Sequence, residues 1–244
     1  LENLNILITG ASGGIGTSLS RAFASSKANL FLIGSSPDKI SKLQKELPSR
    51  DNINYFSVDL SERENVNNFC DSIIDRYGGI SVIINNAGIT DDNLFMRMSE
   101  NSWDKVFAIN IDASMIICRK FIRGMVKNKW GRIINISSVV ASTGNPGQSN
   151  YVAAKCALNG LTKSLALEVA TRGVTVNSIS PGFIDTAMTA KLTDDQKLKI
   201  TEKIPMGRMG TGDDISSLVS FLVTNEAGYI TGQNIHVNGG LFLT

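Results

Sequence analysis

The sequence predicts an α/β fold with a doubly wound parallel sheet, and three observations support that prediction. Short β-rich runs alternate with longer helical patterns along the chain, as they do when a right-handed helical crossover joins each pair of parallel strands. Runs such as Val82-Ile83-Ile84 and Ile133-Ile134 are apolar at successive positions, which is typical of strands covered by helices on both faces. No linker, charge block or internal repeat interrupts the alternation, so we expect a single domain.

Each element follows from its local residues. Residues 4–9 and 29–33 are the first two predicted strands, and residues 14–25 form the helix between them. A polar helix, Pro37–Glu46, comes next, and its proline suits a first helical turn. The same patterns predict five more strands at 54–58, 81–85, 132–136, 174–179 and 234–237. Further helices are centred on residues 62–77, 102–127, 152–171 and 213–223.

The segment from residue 183 to residue 212 departs from this alternation. It is polar, lacks a strand pattern and carries Met188, Met206 and Met209. Such a segment suits a mobile flap over a binding site better than a second domain. We therefore expect one catalytic domain over residues 1–244, with a flexible substrate flap at about 183–212.

Composition and charge argue against several classes of function. The 24 Lys and Arg residues nearly balance 22 Asp and Glu, so the overall field does not favour nucleic acid. No apolar run reaches the roughly 18–20 residues of a membrane span, and no signal pattern opens the chain. His236 is the only histidine and is expected to be structural, so neither a Ser-His-Asp site nor a metal centre is predicted. The separated Cys70, Cys118 and Cys156 are typical of reduced thiols in a cytoplasmic protein.

A glycine-rich turn follows the first strand, where Thr9-Gly10-Ala11-Ser12-Gly13-Gly14-Ile15-Gly16 opens a helix. In such a turn Gly10 permits the tight bend, Gly14 lets backbone N–H groups approach a pyrophosphate, and Gly16 lets the helix pack closely on the sheet. A merely flexible turn is the alternative, but the flanking strand and helix favour a dinucleotide site of the Rossmann type. The turn lacks the Gly-Lys-Ser/Thr ending of a nucleoside-triphosphate loop.

The ends of strands two, three and four are expected at the same carboxyl edge of the sheet. Asp59-Leu60 and Asn85-Asn86-Ala87-Gly88 follow strands three and four, where Asp59 suits an adenine amino group and Gly88 a close approach to ribose. A helix cap at Asp59 and a simple turn at the asparagines are the alternatives. Strand two ends in Gly34-Ser35-Ser36 rather than a carboxylate, which favours NADP(H), although Lys39 is the only nearby cation.

Tyr151 is the only tyrosine of four with a lysine four residues later, Lys155. Residues i and i+4 share a helix face, so the ammonium and the phenol are expected to meet. The cation and the helix N-terminus should lower the pKa of Tyr151 from about 10 toward the range of a general acid. Ser138 follows strand five and is placed to hold a substrate carbonyl. An ordinary helix-face contact is the alternative, which the neighbouring serine and glycine turn disfavour.

Together with Pro181-Gly182, these motifs resemble the short-chain dehydrogenase/reductase family over essentially the whole chain. The resemblance implies that Asn110 joins Ser138, Tyr151 and Lys155 in a catalytic tetrad, by placing a water that relays protons to the lysine. It also implies that Thr186 contacts the nicotinamide carboxamide beside Ile184. The candidate cofactor-binding residues are Gly10, Ser12, Gly14, Ile15, Gly16, Ser35, Asp59, Leu60, Asn86, Ala87, Gly88, Tyr151, Lys155, Pro181, Gly182, Ile184 and Thr186.

Within that family the chain is most similar to the 3-oxoacyl-[acyl-carrier-protein] reductases of fatty-acid synthesis. The similarity lies in residues 85–90, 92–94, 96–98, 144–145, 147–148 and 236–240. It implies NADPH-dependent reduction of a 3-oxoacyl thioester on acyl-carrier protein by a homotetramer. Gly13 departs from that pattern, which often has a basic residue there, and this bears on cofactor preference. An acetoacetyl-CoA or other carbonyl reductase, and a non-catalytic dinucleotide-sensing protein, remain alternatives.

Two surface features bear on partners. Arg123, Lys127 and Lys129 lie near the end of the helix before strand five, and Arg172 ends the helix that carries Tyr151. The resemblance points to Lys129 and Arg172 as docking residues for an acidic carrier protein, and a solvated charged face is the alternative. Small residues on the helix after Tyr151 and the apolar chain end suggest subunit contacts, with ordinary core packing as the alternative.

Overall fold

A seven-stranded sheet with the strand order β3-β2-β1-β4-β5-β6-β7 organises the computed structural model, which describes residues 2–186, 189 and 193–243. Every neighbouring pair of strands is parallel. The strands are β1 Asn5–Thr9, β2 Asn29–Gly34, β3 Ile53–Ser57, β4 Val82–Asn85, β5 Gly131–Ile136, β6 Val174–Pro181 and β7 Asn234–Val237. The predicted doubly wound α/β fold is confirmed, with strand bounds within about two residues of those expected.

The helices cover both faces of this sheet. The longer ones are α1 Gly14–Ala24, α2 Pro37–Glu46, α3 Arg63–Tyr77, α4 Glu100–Phe107, α5 Ala113–Asn128, α7 Ser149–Val169, α8 Asp194–Thr201 and α9 Gly212–Leu222. Shorter turns are the 3₁₀ segments Phe95–Arg97 and Ala170–Arg172, the one-turn helix α6 Val140–Thr143 and a π-helical turn, Ala108–Asp112. The single helix predicted around residues 102–127 is therefore three segments, because the π turn separates α4 from α5.

The segment predicted as a flap contains more structure than its sequence indicated. Helix α8 lies within it and begins with a capping box, in which Thr193 and Gln196 satisfy each other's backbone N–H groups. Ile184 and Gly210 form an isolated parallel bridge at its two ends. Met206 is exposed, and Met188 lies outside the described residues. The mobility of this segment remains a prediction.

Two apolar clusters lie on opposite faces of the sheet because neighbouring strand residues point to opposite sides. Ile6 and Ile8 of β1 pack in the cluster that includes side chains of α1 and α9. Leu7, between them, packs in the other cluster with side chains of α3 and α5. Each face is thus sealed by helices, which explains why the central strands are apolar at successive positions.

A buried polar chain connects β4, β5 and α7 beneath the carboxyl edge of the sheet. The Nδ2 of Asn85 donates to the Oδ1 of Asn135 at 2.8 Å, and the Nδ2 of Asn135 donates to the Oγ1 of Thr162 at 2.8 Å. The Thr162 hydroxyl in turn donates to the carbonyl of Leu158 at 2.9 Å. Because unpaired polar groups are costly in a core, these bonds join the middle of α7, away from its first turn, to β4 and β5.

Two crossovers meet at the opposite, amino edge of the sheet. Lys129 ends α5 in the left-handed conformation with φ of 50°, and Gly173 precedes β6 with φ of 71°. A Cβ atom on Gly173 would overlap the carbonyl oxygen of Lys129. The close approach therefore requires glycine and brings the ends of α5 and α7 together. Within the described part of the chain, no helix is both long and apolar enough to cross a bilayer.

We expect Gly173→Ala to lower the free energy of unfolding by roughly 2–3 kcal/mol, because the new Cβ meets the Lys129 carbonyl and disfavours the left-handed backbone. As a matched control, Gly124→Ala at an exposed position of helix α5 has open space at its Cβ and should raise stability by up to about 1 kcal/mol. Urea unfolding monitored by circular dichroism measures both. Similar changes in the two variants would contradict the assigned contact.

Candidate functional site

The loop after β1 and the loop after β4 are bonded to each other at the carboxyl edge. The Thr9 hydroxyl accepts hydrogen bonds from the backbone N–H groups of Asn86 and Ala87, each at 3.0 Å. The Nδ2 of Asn86 donates to the carbonyls of Thr9 at 3.0 Å and Gly10 at 3.1 Å. Gly10 has φ of 63°, and a Cβ there would lie 2.8 Å from the Cα of Ala87. Asn86, which was predicted to contact a cofactor, thus fixes the conformation of the glycine turn.

Helix α1 starts at Gly14 with its first N–H groups toward the same edge, and Gly13 at its N-cap offers no side-chain cap. Such an end attracts an anion, because its first N–H groups lack partners within the helix. Ser12 lies against Gly34 at the end of β2, where Ser35 is exposed, and Ile15 is partly buried against the core. These residues fit the phosphates of a dinucleotide.

The residues predicted after β3 have local roles in the structure. The Oδ1 of Asp59 accepts from the backbone N–H of Ser61 at 2.9 Å and from its hydroxyl at 2.7 Å. These hydrogen bonds lower the pKa of Asp59. Asp59 therefore organises the turn that leads into α3, although the N-cap itself is Glu62. Leu60, the next residue, is buried. A cofactor could still approach Asp59 and Leu60 from the solvent side.

Three of the four predicted catalytic residues meet between β5 and α7. Tyr151 and Lys155 lie one turn apart on α7, with the lysine Nζ 5.6 Å from the centre of the tyrosine ring. The hydroxyl of Ser138 hydrogen-bonds to the Tyr151 side chain. Lys155 is buried, and its Nζ donates to the carbonyl of Ile136 at the end of β5, at 2.8 Å. The structure thus brings a phenol, a hydroxyl and an ammonium to one point on the carboxyl edge.

The pKa of Tyr151 is raised, mainly because burial disfavours the phenolate. The hydrogen bond from Ser138 lowers it and the charge of Asp92 raises it further. The predicted lowering is therefore wrong for this structure. The lysine is itself desolvated, with a pKa lowered to about 8, and its ammonium is directed to the Ile136 carbonyl. Below about pH 8 the lysine still carries its charge, while the phenol keeps its proton.

Asn110, the fourth predicted catalytic residue, lies in the π turn and is fully buried. Its Nδ2 donates to the carbonyls of Val106 at 2.8 Å and Ile89 at 3.0 Å. Its Oδ1 has no protein hydrogen-bond donor among the described residues. A Cβ on Gly88 would lie 2.6 Å from that oxygen and 3.3 Å from the Nζ of Lys155. The absence of a side chain at Gly88 leaves an acceptor and an ammonium facing one small space, which suits a relaying water.

The segment after β6 closes the edge on its other side. The carbonyl of Pro181 accepts from the N–H of Val139 at 2.9 Å, next to Ser138, and the N–H of Gly182 donates to Val237 at 2.9 Å. Ile184 is buried, and Thr186 packs against Gly14 of the glycine turn. The predicted cofactor residues of this segment therefore border the same crevice as the turn.

Some residues at the site were not anticipated. Asn150 is fully buried and accepts a hydrogen bond from the N–H of Tyr151 at 2.7 Å. Asp92 accepts from the Nε2 of Gln148 at 2.9 Å, and the N–H of Asn93 donates to the carbonyl of Gly147 at 2.8 Å. The only available signal was an asparagine at a helix start, a position where its side chain often pairs with backbone N–H groups.

His236 lies beside the site rather than in it. Its ring stacks obliquely on Phe242 at 4.8 Å, and burial lowers its pKa. Its nitrogens lie 3.5 Å from the Ser142 hydroxyl and 3.5 and 3.4 Å from the amides of Asn234 and Asn238. Within the described ranges, no group of three or more His, Cys, Asp or Glu residues is arranged to hold a metal ion.

Comparisons with known proteins cover nearly the whole chain. A family model described as enoyl-(acyl carrier protein) reductase matches residues 10–242. The chain is 45% identical to the 3-oxoacyl-[acyl-carrier-protein] reductase FabG of Rickettsia conorii, over 97% of this chain and 96% of that protein. The FabG protein of Vibrio cholerae is 42% identical, over 100% and 99% of the two chains. Nodulation protein G of a Rhizobium species is 47% identical, over 99% and 98%.

Lys155 makes the stability of the fold depend on pH. Its pKa falls from 10.5 to about 8 on folding, so between those values the unfolded chain holds a proton that the folded chain has released. Below about pH 8 the buried lysine is charged, and its desolvation fully destabilises the folded state. The stability of the wild type relative to Lys155→Met should therefore rise from about pH 8 to 10.5. Urea unfolding of both proteins across this window tests it, and a constant difference would contradict the desolvation of Lys155.

Proposed function

Because the chain belongs to the short-chain dehydrogenase/reductase family, we propose that it reduces the 3-oxo group of an acyl thioester on acyl-carrier protein, with NADPH, in fatty-acid synthesis. The observation that carries the proposal is the meeting of Ser138, Tyr151 and Lys155 beside a glycine turn that suits a dinucleotide. The names of relatives at 42–45% identity over nearly the full length support the same substrate.

A carbonyl suits this site better than a carbon–carbon double bond, although the matching family model is named for enoyl reductases. Reduction of a ketone leaves negative charge on one oxygen, and two hydroxyl donors, those of Ser138 and Tyr151, converge there. Hydrogen-bond donors aimed at a developing oxyanion are the usual way in which proteins stabilise such charge. The paired hydroxyls therefore support 3-oxoacyl reduction.

The chain's residues bind the carbonyl and move one proton. When bound, NADPH supplies the hydride. The Ser138 hydroxyl holds the carbonyl oxygen, and the Tyr151 hydroxyl donates its proton to that oxygen as charge develops. The raised pKa keeps the phenol protonated before the reaction, while the Lys155 ammonium stabilises the phenolate after it. The Oδ1 of Asn110 holds the water through which the tyrosine regains a proton by way of Lys155.

The end of β2 supports NADP over NAD. Gly34 and Ser35 stand where a carboxylate would repel a 2′-phosphate. The nearby start of α2 is capped by Ser36, whose hydroxyl accepts from the N–H of Lys39 at 3.4 Å. Asp38 in the first turn of α2 acts against an anion, and Gly13 supplies no basic partner. Hydroxyl and backbone donors, with Lys39, are therefore the groups proposed to hold the phosphate.

We propose that the acidic carrier docks on Lys129 and Arg172, which are both exposed near the contact of Gly173 with Lys129. This pair lies at the amino edge of the sheet, whereas Tyr151 lies beyond the carboxyl edge. Arg172 is 21 residues from Tyr151 along α7 and its 3₁₀ extension, which corresponds to roughly 30 Å. A carrier docked there is better placed to serve Tyr151 of another copy of the chain.

The proposed homotetramer agrees with the exposed face of α7. Ala157 and Gly160 are exposed on this helix, and Leu167 keeps 84% of its surface accessible. Exposed small and apolar residues of this kind suit a helix that packs against another subunit. We further propose one catalytic domain over residues 1–244, a mobile flap at about 183–212 and a cytoplasmic location.

A reduction assay tests the function and its alternatives. The protein should oxidise NADPH faster than NADH with acetoacetyl-carrier protein, measured as kcat/KM. Tyr151→Phe should lower kcat by about 10²–10⁴-fold and leave the Kd for NADPH unchanged, because only the proton donor is lost. A higher kcat/KM with acetoacetyl-CoA would favour the carbonyl-reductase alternative. NADPH binding without turnover of any 3-oxoacyl thioester would favour a dinucleotide sensor.

Docking is tested by Lys129→Glu combined with Arg172→Glu. The double variant should raise the KM for carrier-linked substrate, because exposed charges act mainly on encounter. This increase should become smaller at higher salt concentration. Reduction of a small acetoacetyl thioester should stay nearly unchanged and serves as the control. Equal losses on both substrates would indicate damage to the fold or assembly, and no loss on either would leave these cations as solvated surface.

A further inference from the structure

Asn150 is a buried polar residue that the proposed mechanism does not use. It precedes Tyr151 in the first turn of α7 and exposes 0% of its surface. A carboxamide is costly to bury unless its donors and acceptor are paired. The interactions of this side chain therefore indicate what its burial achieves.

The two ends of the Asn150 side chain bind different parts of the site. Its Oδ1 accepts from the N–H of Tyr151 at 2.7 Å, which is one of the N–H groups that a helix start leaves without an internal partner. Its Nδ2 donates to the carbonyl of Asp91 at 3.1 Å and toward the hydroxyl of Ser102 in α4 at 3.4 Å. Asn150 therefore joins the backbone at Tyr151 to the loop after β4.

The same loop is held a second time, by Asn110. The Nδ2 of Asn110 donates to the carbonyl of Ile89 at 3.0 Å, two residues before the carbonyl that Asn150 binds. Residues 89–91 thus lie between two buried carboxamides, one from the π turn and one from α7. Residues 89–91 thus link Asn110, which faces the Lys155 ammonium, to the backbone of Tyr151.

Different hydrogen bonds hold the two ends of the helical turn from Tyr151 to Lys155. Lys155 is bonded at its Nζ to the carbonyl of Ile136 at the end of β5. The backbone N–H of Tyr151 is held by Asn150. If Asn150 were lost, the first turn of α7 would be joined to the loop after β4 mainly through the preceding residues 147–148, and it would open more readily while the lysine stayed bonded to the sheet. The distance between phenol and ammonium would then no longer be fixed.

We propose that Asn150 is a positioning residue for the reaction, which sets the place of Tyr151 relative to Lys155 and Asn110 by joining α7 to residues 89–91. The proposal rests on the proposed function, because it takes Tyr151 as the proton donor. It makes a separate claim about geometry, which can be measured without turnover.

The experiment uses two variants of Asn150 and one matched control in the full chain. Asn150→Ala removes all of its bonds, whereas Asn150→Ser keeps a shorter, uncharged hydroxyl that can donate and accept. Thr162→Val is the control, because it removes another buried hydrogen-bonding group of α7, the partner of Asn135, away from the tyrosine. Steady-state kinetics with NADPH and acetoacetyl-carrier protein, the thermal midpoint and amide hydrogen exchange are measured for each.

We expect Asn150→Ala to lower kcat by about 10- to 100-fold, as a displacement of roughly 1 Å would, with little change in KM or in the Kd for NADPH. Thr162→Val should lower the thermal midpoint but keep the wild-type kcat. Asn150→Ser should lie between the wild type and Asn150→Ala. It carries the kinetic test if the alanine variant fails to fold. A wild-type kcat in the soluble Asn150 variants, or equal losses of kcat in Asn150→Ala and Thr162→Val, would overturn the proposal.

Hydrogen exchange separates this proposal from the proposed function. A peptide that includes residues 149–152 should exchange faster in Asn150→Ala than in the wild type, and at the wild-type rate in Thr162→Val. This readout remains valid if the wild type reduces no thioester, a result that would refute the function alone. Unchanged exchange around Tyr151 in both Asn150 variants would overturn the positioning role even in an active enzyme.

Discussion

The hydrogen bonds between Thr9 and the Asn86-Ala87 backbone hold the two halves of the sheet together at their carboxyl edge. From β1 the chain builds outward through β2 and β3, and from β4 it builds in the other direction to β7. The loops on either side of this reversal diverge, and a crevice opens between them. Thr186 beside the glycine turn, and Gly88 beside Asn110 and Lys155, lie at this edge of the sheet. The side-chain bonds of Asn86 therefore join the glycine turn to the loop after β4 at this point of divergence.

Burial, more than pairing of opposite charges, sets the electrostatics of the site. Lys155 lies in the core with a backbone carbonyl as its hydrogen-bond acceptor, and desolvation brings its pKa to about 8. Desolvation also acts on Tyr151, whose charged form is the phenolate anion, so its neutral form is favoured. Each group is thus less charged than it would be in water. Charge that develops on a bound carbonyl oxygen would interact with both of them through a medium of low polarity.

Sequence patterns predicted the sheet and the glycine turn because both are local. Apolar runs specify buried parallel strands, and closely spaced glycines at a strand end have few other uses. Tyr151 and Lys155 were recognised from their spacing, yet the direction of the tyrosine pKa was wrong, because burial is a property of the whole fold. The role of Asn150 depends on a loop about 60 residues earlier in the chain, which an asparagine at a helix start does not reveal. Helix α8 was missed because most of its side chains are polar and none is buried, which leaves no periodic pattern to detect.

The π turn at Ala108–Asp112 also limits how the chain can vary in length. Such a turn spans one more residue than a regular helical turn, so α4 and α5 are out of phase by about 100° relative to a continuous helix. If one residue were deleted between α4 and α5, the helix would become regular. Either Asn110 would then turn away from Lys155, or the buried face of α5, with Ile117 and Phe121, would turn away from the sheet. The number of residues between these two helices is therefore under as strict a constraint as the identity of the asparagine.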